Sequence, residues 1–210
     1  MIIILDYGLG NVYNLKNAIE KIGCDAKISS KEEDILNADI LFMPGVGAFK
    51  IAMQNLIEKD LISVLNKRKS LNYPIIGICL GMQILFDSSD ENGFSKGLGF
   101  IKGHFSKFKT SLNVPHMGWN ELIFKEDSFI NYNLNKTSYG YYVHSFYLSD
   151  YDEDNIICYS QYDVKVPSII KSNNIYGIQF HPEKSGKDGL NILKNFIIEL
   201  GDENEYNTCN

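Results

Sequence analysis

A short strand that ends on a cysteine constrains this chain more than anything else in it. Residues 75–78, Ile-Ile-Gly-Ile, lie between Pro74 and Cys79, and Met82, Leu85 and Phe86 then recur at helical spacing. An apolar run of that length between a proline and a small-residue turn reads as a buried strand, and the spacing after it as a helix. Gly77 and Gly81 flank Cys79 in a G-x-C-x-G pattern, the thiol counterpart of the G-x-S-x-G nucleophile elbow. A sharp strand-to-helix turn holds its middle residue in a strained backbone conformation, and its neighbours need almost no side chain if backbone and substrate are to approach. The turn also sets sulfur beside the free N–H groups of a helix N-terminus, which favour thiolate. A buried structural cysteine between two packing glycines is the plainer reading of the same pattern, and the rest of the chain decides between the two.

Around this elbow the chain alternates. Residues 2–5 read as a strand, and Val12, Leu15, Ile19 and Ile22 mark a helix stopped by Gly23. Residues 26–29 and 40–43 read as the next strands, followed by a long helical stretch to about Lys69. The resulting rhythm is that of a doubly wound parallel sheet, in which ligands sit at the carboxyl ends of the strands. Cys79 and the turn Pro44-Gly45-Val46-Gly47 both fall there. The turn Gly8-Leu9-Gly10-Asn11 lacks the third glycine of a dinucleotide fingerprint. After about Asp90 the texture changes. Residues 100–109, 139–148, 156–161 and 168–180 read as strands, with a hairpin tip at 172–174. Leu190, Leu193, Phe196, Ile197 and Leu200 mark a closing helix. The expected fold is α/β, a mostly parallel central sheet flanked by helices, with an antiparallel extension.

Composition narrows the classes of function. With 44% apolar residues in 210, the chain suits one domain with a substantial core. A formal net charge of −6 argues against broad nucleic-acid binding. Asp6 interrupts the apolar start before a signal-peptide core or a membrane span forms. Cys24, Cys79, Cys158 and Cys209 are far apart with no C-x-x-C pair, which favours free thiols in a reducing cytosol over a disulfide framework or a zinc site. Residues 201–210 read as a polar, frayed tail.

A cysteine nucleophile attacking an amide or ester needs a base within hydrogen-bond reach and a third group to orient that base. Of the four histidines, His104 and His144 lie in strand patterns without a carboxylate nearby, and His116 precedes Met117-Gly118-Trp119. His181 differs, because Glu183 follows it in Gln179-Phe180-His181-Pro182-Glu183. Residues two apart on a strand point to the same side, and Pro182 ends the strand, so both side chains are expected at its carboxyl edge. A surface His and Glu at a strand end is the plainer reading; the glycine-flanked cysteine favours the catalytic one. A developing oxyanion also needs donors. The Leu80 N–H, next after the nucleophile, is the expected first, and Gly45-Val46-Gly47 offers a second.

The elbow Gly77-Ile78-Cys79-Leu80-Gly81-Met82-Gln83 together with His181-Pro182-Glu183 resembles the class I, triad-type glutamine amidotransferases. Residues 6–11, 44–49, 115–120, 142–145 and 180–185 narrow the resemblance to the glutaminase subunits of histidine biosynthesis, over roughly residues 1–200. Phe146 departs from the pattern, since tyrosine is expected after the His-Ser pair. The resemblance implies a flavodoxin-like amidotransferase domain over 1–200, in which Cys79 attacks the side-chain amide of glutamine, His181 protonates the departing ammonia and Glu183 holds the imidazole. Gly45, Val46, Gly47, Leu80, Gln83 and the segment His144-Ser145-Phe146 are implied to bind glutamine. No metal or organic cofactor is implied. The implied partner is a cyclase subunit with a (β/α)8 barrel, forming a cytoplasmic heterodimer and receiving the ammonia. Three other readings stay open: a paralogous glutaminase supplying a surface-sugar amidotransferase, a catalytically silent regulatory subunit, and a cysteine peptidase of related sheet topology.

Overall fold

The computed structural model describes residues 1–201; residues 202–210, with Cys209 and the rest of the expected tail, lie outside the described residues. The first half of the chain runs β1 (Ile2–Leu5), α1 (Val12–Lys21), β2 (Ala26–Ser29), α2 (Glu32–Asn37), β3 (Ile40–Gly45), α3 (Phe49–Glu58), α4 (Leu61–Ser70), β4 (Ile75–Cys79) and α5 (Leu80–Gln83). The second half runs β5 (Phe86–Ser89), β6 (Ser95–Lys96), β7 (Ile101–Lys107), β8 (His116–Phe124), β9 (Ser138–His144), β10 (Phe146–Tyr151), β11 (Ile156–Tyr162), β12 (Val164–Ser172), β13 (Ile175–Ile178) and α6 (Gly186–Leu200).

Nine strands form one sheet in the order β2-β1-β3-β4-β13-β12-β11-β8-β9. Pairing is parallel from β2 through to β13 and antiparallel from β13 out to β9. The parallel half is buried on both faces, which is why its strands are continuous apolar runs. Alternation along β1 divides the core: Ile2 and Ile4 pack with Leu15, Ile19 and Phe196 of α1 and α6. Ile3 and Leu5 pack on the other face with Ile35, Leu56 and Leu65 of α2, α3 and α4. Arg68 of α4 is fully buried there, its guanidinium bonding the carbonyls of Ile35, Ala38, Asp39 and Pro74, so a cation is spent on tying α2 and the entry of β4 together.

Several expectations are corrected. A short helix, α2, separates the second and third strands; its first turn is Glu32, Glu33 and Asp34, matching the positive end of the helix dipole. The long helical stretch breaks at Asp60, which is left-handed with φ 53°. The helix after the elbow is one turn only, because the N–H groups of Leu98, Phe100 and Ile101 take the Ile84 and Leu85 carbonyls and divert Phe86 into β5. The segment 139–148 is two strands split at Ser145. One, β9, belongs to the large sheet; the other, β10, belongs to a second sheet of order β10-β7-β5-β6. The segment 168–180 is the β12–β13 hairpin, with Asn173 at positive φ on the expected tip. β8 has no counterpart in the sequence reading. Among the described cysteines, Cys79 and Cys158 are free and Cys24 is disulfide-bonded, against the expectation of free thiols.

β9 ends the large sheet with its outer edge covered at Tyr139 and Tyr141. Tyr141 N–H donates to Ser185 Oγ at 2.9 Å and Tyr139 N–H to Asp188 Oδ2 at 3.2 Å, while the Tyr141 carbonyl accepts from His181 N–H at 2.9 Å. No helix among the described residues is long and apolar enough to cross a membrane.

Candidate active site

The elbow has the strain that its sequence pattern calls for. Cys79 sits at φ 54° and ψ −112°, a region costly for a residue with a Cβ and one that persists only where surrounding packing enforces it. A Cβ on Gly81 would overlap the Met43 carbonyl oxygen, and one on Gly77 would overlap the Gly81 carbonyl. The two glycines therefore let the turn lie directly against the end of β3.

His181 and Glu183 meet as expected but by another geometry. β13 ends at Ile178, and Pro182–Lys184 is a 3-10 turn with His181 at its N-cap. Proline suits the first position of such a turn, since its missing N–H would have been unpaired anyway. The turn, not strand alternation, brings Glu183 Oε1 to 2.9 Å from His181 Nδ1, with both side chains buried. The ring is anchored through its backbone: the His181 N–H bonds the Tyr141 carbonyl, and the His181 carbonyl accepts from Ser185 Oγ at 2.6 Å. Its Nε2 is buried and makes no hydrogen bond of ordinary geometry among the described residues, yet Cys79 acts on the ring. Burial alone lowers the His181 pKa; hydrogen bonding and charge from Cys79 and Glu183 outweigh it and raise the pKa to about 10. The sulfur and the carboxylate thus both favour the charged form of the ring.

β3 and β4 pair so that Gly45 stands opposite Cys79. Gly47, two residues on, has φ 113° and open space where a Cβ would point, and Val46 between them is exposed. Leu80 is the first residue of α5, so its N–H has no partner within the helix. Gln83, the last residue of α5, is buried; its Nε2 donates to Gln179 Oε1 at 3.3 Å and to the Phe146 carbonyl at 3.5 Å. Of the segment His144-Ser145-Phe146, the structure thus joins the Phe146 backbone to the elbow.

The His144 ring is engaged elsewhere. Its Nδ1–H donates to the Phe146 carbonyl at 2.8 Å, and its Nε2 lies 3.0 Å from His116 Nδ1. Burial lowers His116 to about 4 and His144 to about 3, so both rings are neutral. This pairing was not legible in the sequence, because it depends on His116 and His144 standing opposite each other in β8 and β9. Ser145 makes its described contact through the backbone, its carbonyl accepting from Phe108 N–H. His104, expected to lack a carboxylate, has Asp90 Oδ2 at 3.0 Å and Ser88 Oγ at 2.9 Å on the second sheet. Sequence reasoning also missed Gln179, whose Nε2 reaches the Cys79 sulfur at 3.9 Å; the available signal was an amide closing the apolar strand β13.

Fold, elbow and histidine–carboxylate pair together define a class of protein. The family model for glutamine amidotransferase class-I matches residues 3–200, and the chain belongs to that family. Within the family it is 47% identical over 198 residues to the imidazole glycerol phosphate synthase subunit HisH of Bacillus cereus (strain G9842), covering 93% of each chain. It is 48% identical to the subunit of that name from Listeria innocua serovar 6a, covering 93% of this chain and 94% of that one. It is also 47% identical to imidazole glycerol phosphate synthase subunit HisH 2 of Methanococcus maripaludis, covering 94% and 98%. Solved structures share the fold at lower identity. A glutamine amidotransferase superposes with a TM-score of 0.75 at 17% identity, covering 95% of this chain and 97% of that one. A chain of PurLQS from Thermotoga maritima superposes with a TM-score of 0.73 at 17% identity, covering 95% and 98%.

Proposed function

We propose that this chain is the glutaminase subunit of an imidazole glycerol phosphate synthase, with Cys79, His181 and Glu183 as its catalytic triad and residues 1–200 as its amidotransferase domain. The observation that carries the reading is the strained, glycine-flanked Cys79 beside a buried His181 whose Nδ1 is held 2.9 Å from Glu183. Sulfur attacks the side-chain amide carbon of glutamine, and the oxygen that gains charge is met by the Leu80 N–H and by an N–H of the Gly45-Val46-Gly47 turn. His181 protonates the departing nitrogen from Nε2, the C–N bond breaks, and ammonia leaves a glutamyl thioester. The neutral imidazole then takes a proton from water, hydroxide attacks the thioester, and glutamate departs as sulfur recovers its electron pair. Glu183 orients the ring and balances its charge throughout. Both N–H bonds of Gln83 are used on protein acceptors, so its Oε1 is the end that meets the substrate's ammonium group. The segment His144-Ser145-Phe146 adjoins Gln83 through the Phe146 carbonyl.

The ammonia passes to a cyclase partner with a (β/α)8 barrel, in a cytoplasmic heterodimer that makes imidazole glycerol phosphate and aminoimidazole carboxamide ribotide. The relatives named as subunits of that synthase support this assignment. The test is synthesis by the reconstituted pair, driven by glutamine or by ammonium salts. Cys79→Ala should lose glutamine-driven synthesis by on the order of 10⁴-fold or more and keep the ammonium-driven reaction. Glutaminase turnover surviving in that variant would sink the assignment.

A further inference from the structure

A polar side chain outside the triad hydrogen-bonds the nucleophile. Gln179 is 1% exposed, and its Nε2 lies 3.9 Å from Cys79 Sγ, at the long end of the range for an N–H donor to sulfur. The direction of the amide is set by its neighbours. Gln179 Oε1 accepts from Gln83 Nε2, and the other N–H of Gln83 goes to the Phe146 carbonyl. That carbonyl also takes the His144 Nδ1–H. With Nδ1 as a donor and the ring neutral, His144 Nε2 can only accept, so the hydrogen of the His116–His144 bond sits on His116 Nδ1. His116 Nε2 then accepts from Asn120 Nδ2 at 3.1 Å. Turning Gln179 alone would set oxygen against sulfur and NH2 against NH2. Turning both glutamines would set Gln83 Oε1 against the Phe146 carbonyl. The chain of bonds therefore has one polarity, and it ends with N–H aimed at Cys79.

A buried amide is an expensive way to fill this position, since each polar atom must be bonded to offset its desolvation. The neighbours Ile178 and Phe180 are fully buried and apolar, and an apolar residue at 179 would fill the space without that demand. What it would not supply is a donor to sulfur. We propose that Gln179 is a further catalytic residue, an N–H donor that stabilises negative charge on the Cys79 sulfur before attack and again as sulfur leaves the thioester. In that second step the S–C bond breaks and its electron pair returns to sulfur. The Gln179 hydrogens stay on nitrogen, and the protons are moved by His181 and water. The inference rests on Cys79 being the nucleophile of the function proposed above.

The test uses the full chain and iodoacetamide, which reads the thiolate without glutamine, with modification of Cys79 followed by peptide mass spectrometry across pH. Gln179→Met keeps the unbranched length and removes the donor. A hydrogen bond to a charged group is worth enough that the midpoint of alkylation should rise by about one to two pH units, a ten- to hundredfold loss of thiolate at a given lower pH. During turnover the variant should also accumulate glutamyl thioester on acid quenching. A folded variant with an unmoved midpoint overturns the assignment and leaves Gln179 as a packing residue, whatever its turnover. Should the variant fail to fold, the wild-type chain answers by NMR. The side-chain amide resonances of Gln179 should shift with the same midpoint as Cys79 alkylation, and resonances indifferent to that ionisation overturn the proposal. Wild-type chain that alkylates with this behaviour yet never hydrolyses glutamine would refute the functional reading and leave the Gln179 donor standing.

Discussion

Tyr7 is fully buried beside the elbow, and its hydroxyl has no hydrogen-bond partner among the described residues. A Cβ on Gly45 would overlap that oxygen, and burial followed by the charge of Cys79 pushes the phenol pKa well up. An unsatisfied buried hydroxyl costs about 1–3 kcal/mol, so Tyr7→Phe should stabilise the chain by about 1 kcal/mol or more and raise Tm by about 2–4 °C per kcal/mol. Calorimetry checks this, and a lowered Tm would mean that the hydroxyl is bonded in solution. Individual residues also show where sequence reading stops. The strained turn at Cys79 and the His181–Glu183 pair were legible because each depends on neighbours within two positions along the chain. Gln179 was not, because its partners Gln83 and Cys79 are 96 and 100 residues away. The His116–His144 bond spans 28 residues, and only the pairing of two strands brings it about.

The elbow shows how one element fixes the position of another. Gly81 lies against the Met43 carbonyl, backbone that cannot give way cheaply, whereas Gly47 faces open space at positive φ. Gly81→Ala should therefore cost about 3 kcal/mol or more through forced overpacking. Gly47→Ala should cost about 1–2 kcal/mol, from backbone strain alone. Urea unfolding of both variants measures the difference, and equal costs would contradict the packing described for β3 and α5. Elements governed by their own sequence were legible: β1, α1, β4 and α6 follow from apolar spacing. Those governed by competition for hydrogen bonds were not. Apolar spacing extended the helix beyond Gln83, but the backbone of residues 98–101 claims the carbonyls that such a helix needs. The strand expected over 139–148 kept its apolar pattern across Ser145, while its two halves joined different sheets.

For the molecule as a whole, three histidines set the pH dependence of stability. His116 and His144 are lowered to about 4 and about 3, so the unfolded chain binds up to two more protons than the folded one below the ordinary histidine pKa of about 6.5. Their contribution is complete above that value and is lost as pH falls. His181, raised to about 10, contributes fully below about 6.5, and that contribution is lost as pH rises through its folded value. The urea midpoint should therefore be highest near neutral or slightly acid pH. It should fall already between about pH 6.5 and 5, above the ordinary carboxylate range. A flat profile across that window would show that the two rings are not held neutral. The covered edge of β9 has a different consequence. A free terminal strand is a template on which a second copy can add its own. Here Tyr139 and Tyr141 spend their outward bonds on Ser185, Asp188 and the backbone of His181. For one molecule to recruit another through this edge, it must first release the segment that carries His181, so loss of the proposed activity and loss of monodispersity share a single event.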